Sequence, residues 1–266
     1  MKLLLLFLFS IQTALAVDPL QLLKIHDSKV YHLKKKVVKD IVVEVESPQL
    51  KKQLESQQIF GSIDRVAFKF YWTLEPLRLN IDIIGLPEGF KEIKENLKQT
   101  MFSKFEYMYP MTIEEKFKGY TFKNHPTKVN SILATDSSGL QAIPEFELVF
   151  DSEQKIISII GKKPIGEQII NLVYEKTSWS NGQNVLKKQI STTQEGPQIT
   201  VTESNFEYMV TNGIGAISSV NTKVSQKSVA NQSKSQDILF EESFYFLNTK
   251  LNASEAQKWF LSIGGN

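Results

Sequence analysis

The sequence predicts an α+β protein. Its centre is one large curved, mostly antiparallel β-sheet, a half-barrel or incomplete barrel, with N-terminal, lid-like and C-terminal helices. Three observations predict this. From Glu115 to Leu247 short runs alternate apolar and polar residues, and side chains on a strand alternate faces with period two. Asn181-Gly182 and Asn212-Gly213 separate such runs, and Asn-Gly supplies the positive φ that tight hairpin turns require. Helical spacing of apolar residues occurs near the two ends and at about 87–105. A sheet of ten or more strands curls rather than staying flat.

Residues 1–16 read as a secretory signal peptide. Lys2 is the positive start, Leu3 to Phe9 the apolar run and Ala14-Leu15-Ala16 the small-x-small cleavage pattern. The run is well short of the ~20 residues that span a bilayer. Residues 17–266 then form a single domain. Asp18-Pro19 opens a helix, an N-cap acid before a first-turn proline. Leu22, Ile25, Val30 and Leu33 give it an apolar stripe, and Lys34, Lys35 and Lys36 suit its negative end. Val37 to Glu46 is a strand with Ile41, Val43 and Val45 facing in. Gln49 to Gln58 is polar, a short helix or an excursion.

The stretch Ile63 to Leu86 is the scaffold. Val66, Phe68, Phe70, Trp72 and Leu74 share one parity; after the Glu75-Pro76 turn, Leu77, Leu79, Ile81 and Ile83 share another. So broad an apolar face must be covered by a helix, a second sheet or a ligand. A helical insertion follows at about 87–105, with Phe90, Ile93, Leu97 and Met101 at helical spacing. Phe102, Phe105, Tyr107 and Tyr109 continue it. It fits a lid over the sheet; the plainer reading is a core-packing helix. Strands are expected at 117–123, 128–135, 146–151, 155–161, 169–179, 184–192, 198–210, 217–224 and 238–247. Ser225 to Asp237, rich in Ser, Gln, Asn and Lys, reads as an exposed loop or frayed edge. Asn252 and Glu255 sit at capping-box spacing for a last helix with Ala256, Trp259, Phe260 and Ile263 buried, closed by Gly264-Gly265.

The chain holds no cysteine, which excludes disulfides and thiolate metal sites. A net charge of +2 gives no electrostatic footprint for nucleic acid. His26 and His32 are six residues apart, not the i, i+4 spacing of a helical metal pair, and His125 precedes a proline in a turn. Glu145 and Glu147 share a strand face, the usual wet side of a half-buried strand, and single out no catalytic pair. No nucleophile elbow, phosphate loop, dinucleotide fingerprint or zinc motif occurs. No enzyme activity, cofactor or metal is expected.

Two segments carry a resemblance. Val66-Ala67-Phe68-Lys69-Phe70-Tyr71-Trp72 leads into Leu77-Arg78-Leu79-Asn80-Ile81-Asp82, and Trp179-Ser180-Asn181-Gly182-Gln183-Asn184-Val185-Leu186 forms a hairpin. With the element order of Val17 to Phe246, this resembles the LolA/LolB/LppX-type superfamily of bacterial envelope lipid and lipoprotein carriers. The resemblance implies a soluble periplasmic protein that holds the acyl chains of a lipid or lipidated protein in an apolar cavity under a helical lid. It carries over no functional residue. The expected lining is Phe68, Phe70, Trp72, Leu77, Leu79, Ile81 and Ile83, with Phe90, Ile93, Leu97 and Met101 on the lid; Arg65 is the candidate for an anionic headgroup at the rim. An envelope protein partner and a transient membrane contact fit the same reading; oligomeric state stays open. The alternative is a non-catalytic secreted structural or interaction protein of the cell envelope, its sheet filled by its own side chains.

Overall fold

The computed structural model describes residues 17–57, 62–228 and 237–263. The expected signal peptide, most of the expected polar loop and the Gly264-Gly265 stop lie outside the described residues. Twelve antiparallel strands form one sheet: β1 Asp40–Glu46, β2 Ala67–Leu74, β3 Leu77–Ile84, β4 Tyr120–Asn124, β5 Ser131–Asp136, β6 Glu145–Phe150, β7 Ile156–Lys162, β8 Glu167–Lys176, β9 Asn184–Glu195, β10 Gln198–Thr211, β11 Ile214–Ser228 and β12 Asp237–Leu251. Their order is β3-β2-β1-β12-β11-β10-β9-β8-β7-β6-β5-β4, so among the described residues β3 and β4 are free edges, and the sheet is not closed into a barrel. The sheet is a meander from β4 to β12, joined to the first three strands through β1 and β12.

Between the two edges runs a helical segment: α3 Lys91–Phe102, a 3-10 turn Ser103–Met108, and α4 Ile113–Lys116. It shows that the sheet curls. Phe105 stacks on Phe70 of β2, and Tyr107, two residues on, meets Phe206 of β10 edge-on. β2 and β10 are four places apart, roughly 19 Å on a flat sheet at ~4.8 Å per strand. Only a sheet wrapped around the segment brings both rings to it. Among the described residues, no helix is long and apolar enough to cross a membrane.

The expected elements are present, with shifted ends. α1 spans Pro19–Lys29, with the Asp18 side chain accepting from the Leu20 amide. It stops before Val30, which bridges to Asn184 in parallel, while the Tyr31 amide donates to Asn184 O at 2.7 Å. Val30 and Leu33 are still buried, but from extended chain. The lysines expected at the helix end fall beyond it, and Lys35 pairs with Glu115. α2 is Pro48–Ser56, capped by Ser47. α4 was hidden in sequence by the strand reading from Glu115; Thr112 and Glu115 form a full capping box there. Asn212 and Gly213 both have positive φ in a two-residue turn. At Asn181-Gly182 the φ values are also positive, but β8 ends at Lys176, so that connection is wider than expected. β11 and β12 extend into the expected polar loop at both ends, to Ser228 and from Asp237.

The outer face corrects the expectation of a wet side on the hairpin. α5, Glu255–Ile263, lies on it. Ala256 and Phe260 pack against Val42 and Tyr71, and Trp259 stacks on Tyr71 at 4.2 Å. Ile263, expected on the buried stripe, is exposed. The α5 amino end is held by Asp40, whose Oδ2 accepts from the Gln257 amide at 3.1 Å. Asn252 is not its cap; it straps the loop before β1, accepting from the Lys39 amide and donating to Val37 O, each at 2.7 Å.

Candidate functional site

One half of the inner face is solid. Phe68 and Phe70 are fully inaccessible and Trp72 almost so. They pair across to Ile83, Ile81 and Leu79 of β3. Phe105 stacks on Phe70 at 4.3 Å, Tyr109 meets Phe70 and Trp72 edge-on, and Met101 and Met108 fill the rest of this core. Leu97 packs on its margin, Ile93 is half-buried, and Phe90 stands at the residue before α3. The space left between hairpin and α3 is a surface pocket of about 360 Å³, lined by Leu79, Ile81 and Phe102 among others. Leu77, beside the turn, is 68% exposed. The expected lining is thus placed mainly in packed core. Arg65 is on the other face: its guanidinium pairs with Glu44 at 2.6 Å and with Glu46, two residues whose neighbours Val43 and Val45 point inward.

The other half is hollow. A cavity of about 450 Å³ lies between the inner face of β7–β11 and the helical segment. Its wall is Ile159, Ile170, Leu172, Leu186 and Ile217, with Phe146 toward β4. Tyr107, Met108 and Tyr109 cover it, and α1 with Val30 to Leu33 closes one side. None of the eleven expected lining residues reaches it.

Six tyrosines line this space, and their hydroxyls mostly point away into backbone. Tyr174 donates to Ile156 O at 2.9 Å, Tyr208 to Leu186 O at 2.9 Å and Tyr120 to Ile143 O at 2.7 Å. Tyr107 donates to Gln189 at 3.2 Å. Tyr31 donates to Gly215 O and accepts from its amide, at 2.9 and 2.8 Å. Position 215 must be glycine: a Cβ there would come within 2.2 Å of the Trp179 ring, which itself meets Tyr31 edge-on. Burial pushes the Tyr107 hydroxyl up to about 12 and raises those of Tyr109, Tyr174 and Tyr208. All stay neutral near pH 7. Tethering the hydroxyls leaves ring carbons facing inward, so a wall rich in tyrosine presents apolar surface.

The polar groups gather between α1 and α4. His26 is only 6% exposed, and its Nδ1 accepts from the Ile156 amide at 3.0 Å. Burial and then the charge of His32 depress its pKa to about 3, so the ring is neutral. Burial also lowers His32, partly offset by Asp27. Asp27 accepts from the Ile113 amide at 3.0 Å, and burial raises its carboxyl above the ordinary value. Lys116 pairs with Glu106 at 3.5 Å. Among the described residues no group of three His, Asp or Glu side chains is arranged to hold a metal ion. Glu145 and Glu147 each face a lysine of their own, Lys162 at 2.6 Å and Lys128 at 2.7 Å.

The sequence reading passed over His26 and His32, because their spacing was judged against metal geometry. The signal that points to them is a histidine amid the apolar residues of an amphipathic helix, which marks a buried polar group needing a partner. The chain matches no protein-family model, no curated protein and no solved structure.

Proposed function

We propose that this chain is a non-enzymatic carrier for a lipid-like amphiphile, held in the cavity between β7–β11 and the helical segment. The observation that carries the reading is a cavity of about 450 Å³ in which four of the six lining tyrosines have their hydroxyls tied into backbone and the charged groups sit at one side. That volume falls in the ~300–1,000 Å³ range of small-ligand sites, which are mostly apolar with a few convergent polar groups. Burying a methylene contributes about 0.8 kcal/mol, so a partly buried acyl chain suffices for useful affinity. The segment Lys91–Lys116 crosses the gap between the free edges and covers the cavity, the place a lid must occupy. Export to the periplasm belongs to the same proposal and rests on residues 1–16.

The test is native mass spectrometry of the purified chain and of Ile170→Trp. Ile170 is a half-buried wall residue on a strand, where tryptophan is well tolerated. Wild type is expected to carry lipid-sized adducts and the variant to lose them with unchanged circular dichroism. A wild type that carries no adduct and takes up none from vesicles refutes the proposal. The second reading, a non-catalytic interaction protein, draws on the solid hairpin half and the unpaired edges β3 and β4. It predicts that Ile170→Trp leaves partner binding intact.

A further inference from the structure

The histidines at the side of the cavity say what kind of headgroup it takes. His26 Nδ1 accepts a backbone amide, so in the neutral ring the proton is on Nε2, and that N–H has no hydrogen-bond partner among the described residues. His32 has the opposite arrangement. Its Nδ1 lies 3.2 Å from Val30 O, and a carbonyl only accepts, so Nδ1 carries the proton and Nε2 is an acceptor with no hydrogen-bond partner among the described residues. Both rings line the cavity. The cavity therefore offers one donor and one acceptor on two of its lining side chains.

The surrounding charge selects among headgroups. The charged lining residues are Asp27, Glu106 and Lys116, two carboxylates against one ammonium, and the ammonium is already paired with Glu106. A carboxylate or phosphate headgroup would enter a site with excess negative charge. A quaternary ammonium would satisfy the charge but has no acceptor for the His26 proton. A hydroxyl both accepts and donates. We infer that the ligand's polar end is an uncharged hydroxyl, as in a long-chain alcohol or a monoacylglycerol, which accepts from His26 Nε2 and donates to His32 Nε2. The inference rests on the carrier reading and narrows it.

The test is displacement of the uncharged fluorophore N-phenyl-1-naphthylamine at pH 7.5 by 1-dodecanol, sodium dodecanoate and 1-methoxydodecane. The alcohol is expected to displace the probe at a concentration at least tenfold below the carboxylate and several-fold below the ether, which accepts but cannot donate. His32→Phe should remove the alcohol's advantage over the ether and leave the ether unchanged. Equal displacement by all three, or a preference for dodecanoate, overturns the headgroup inference while leaving the carrier reading in place. A wild type that binds neither the probe nor any of the three removes the carrier reading and the inference together. The ranking on wild type decides the matter even if His32→Phe does not fold.

Discussion

The inner face of one sheet is solid over β1–β3 and hollow over β7–β11. Both halves are covered by the same segment, so the difference lies in what each residue of it reaches. Toward the hairpin, Met101, Phe105 and Met108 lie fully buried against Phe68, Phe70 and Trp72. Toward β7–β11, Tyr107 reaches Phe206 of β10, the wall beyond it is built from branched aliphatic side chains, and a cavity remains. The charged edge of the segment, Glu106 and Lys116, falls beside that cavity. Aromatic density therefore marks where the helical segment packs against the hairpin rather than where the cavity lies.

The contrast can be broken or sharpened by experiment. The largest effect is expected from Phe105→Ala. It removes a fully buried ring stacked on Phe70 and should cost about 3–5 kcal/mol in urea unfolding, as large-to-small core changes do. Leu172→Ala, on the hollow wall, already faces empty space and should cost less than half as much. Equal losses would mean that the cavity is filled in solution.

Acid should act on the hollow half first. The folded pKa of His26, about 3, lies below its ordinary value of 6.5. Between those values the unfolded chain binds the proton that the folded chain excludes, so stability falls as pH drops through this window and is unaffected above it. The slope from this one group is about 1.4 kcal/mol per pH unit. His26→Asn keeps an acceptor for the Ile156 amide and cannot titrate. Its denaturation midpoint should vary less than that of wild type between pH 6.5 and 4.5. Parallel curves would show that His26 is protonated without cost.

Filling the hollow should change stability little. Ile170→Trp is expected to shift unfolding by less than about 1.5 kcal/mol while abolishing ligand uptake. The smallest effect is expected at Arg65. Its guanidinium is about half exposed, so losing the pairs with Glu44 and Glu46 in Arg65→Ala should cost no more than about 1 kcal/mol. Ligand uptake should be unchanged; a loss of uptake would return Arg65 to the binding site despite its place on the outer face.

Much of the fold was legible in the sequence. Period-two alternation located every strand of the meander to within a few residues, because each half-buried strand must separate its apolar and polar faces. The Asn212-Gly213 turn was readable because only a few residues tolerate its φ values. The helix ends were less so. Val30 and Leu33 continue the α1 stripe, yet the bridge to Asn184 pulls Val30 into extended chain. Tyr71 reads as part of a wet face because the helix that covers it, α5, comes some 180 residues later in sequence. Asp40 was unreadable as the α5 cap for the same reason.

The sequence by itself determined the strand and helix content, the amphipathic faces and the aromatic side of the hairpin, since these depend on residue type and local period. Only the tertiary structure decided that Phe105 fills that hairpin and that Arg65 turns to the outer face. It alone brings His26 and His32 to one cavity with strands more than a hundred residues later in the chain. Those outcomes depend on how the sheet curls around a segment linking its two edges. Curvature is a sum over twelve strands, so no single stretch of sequence states it.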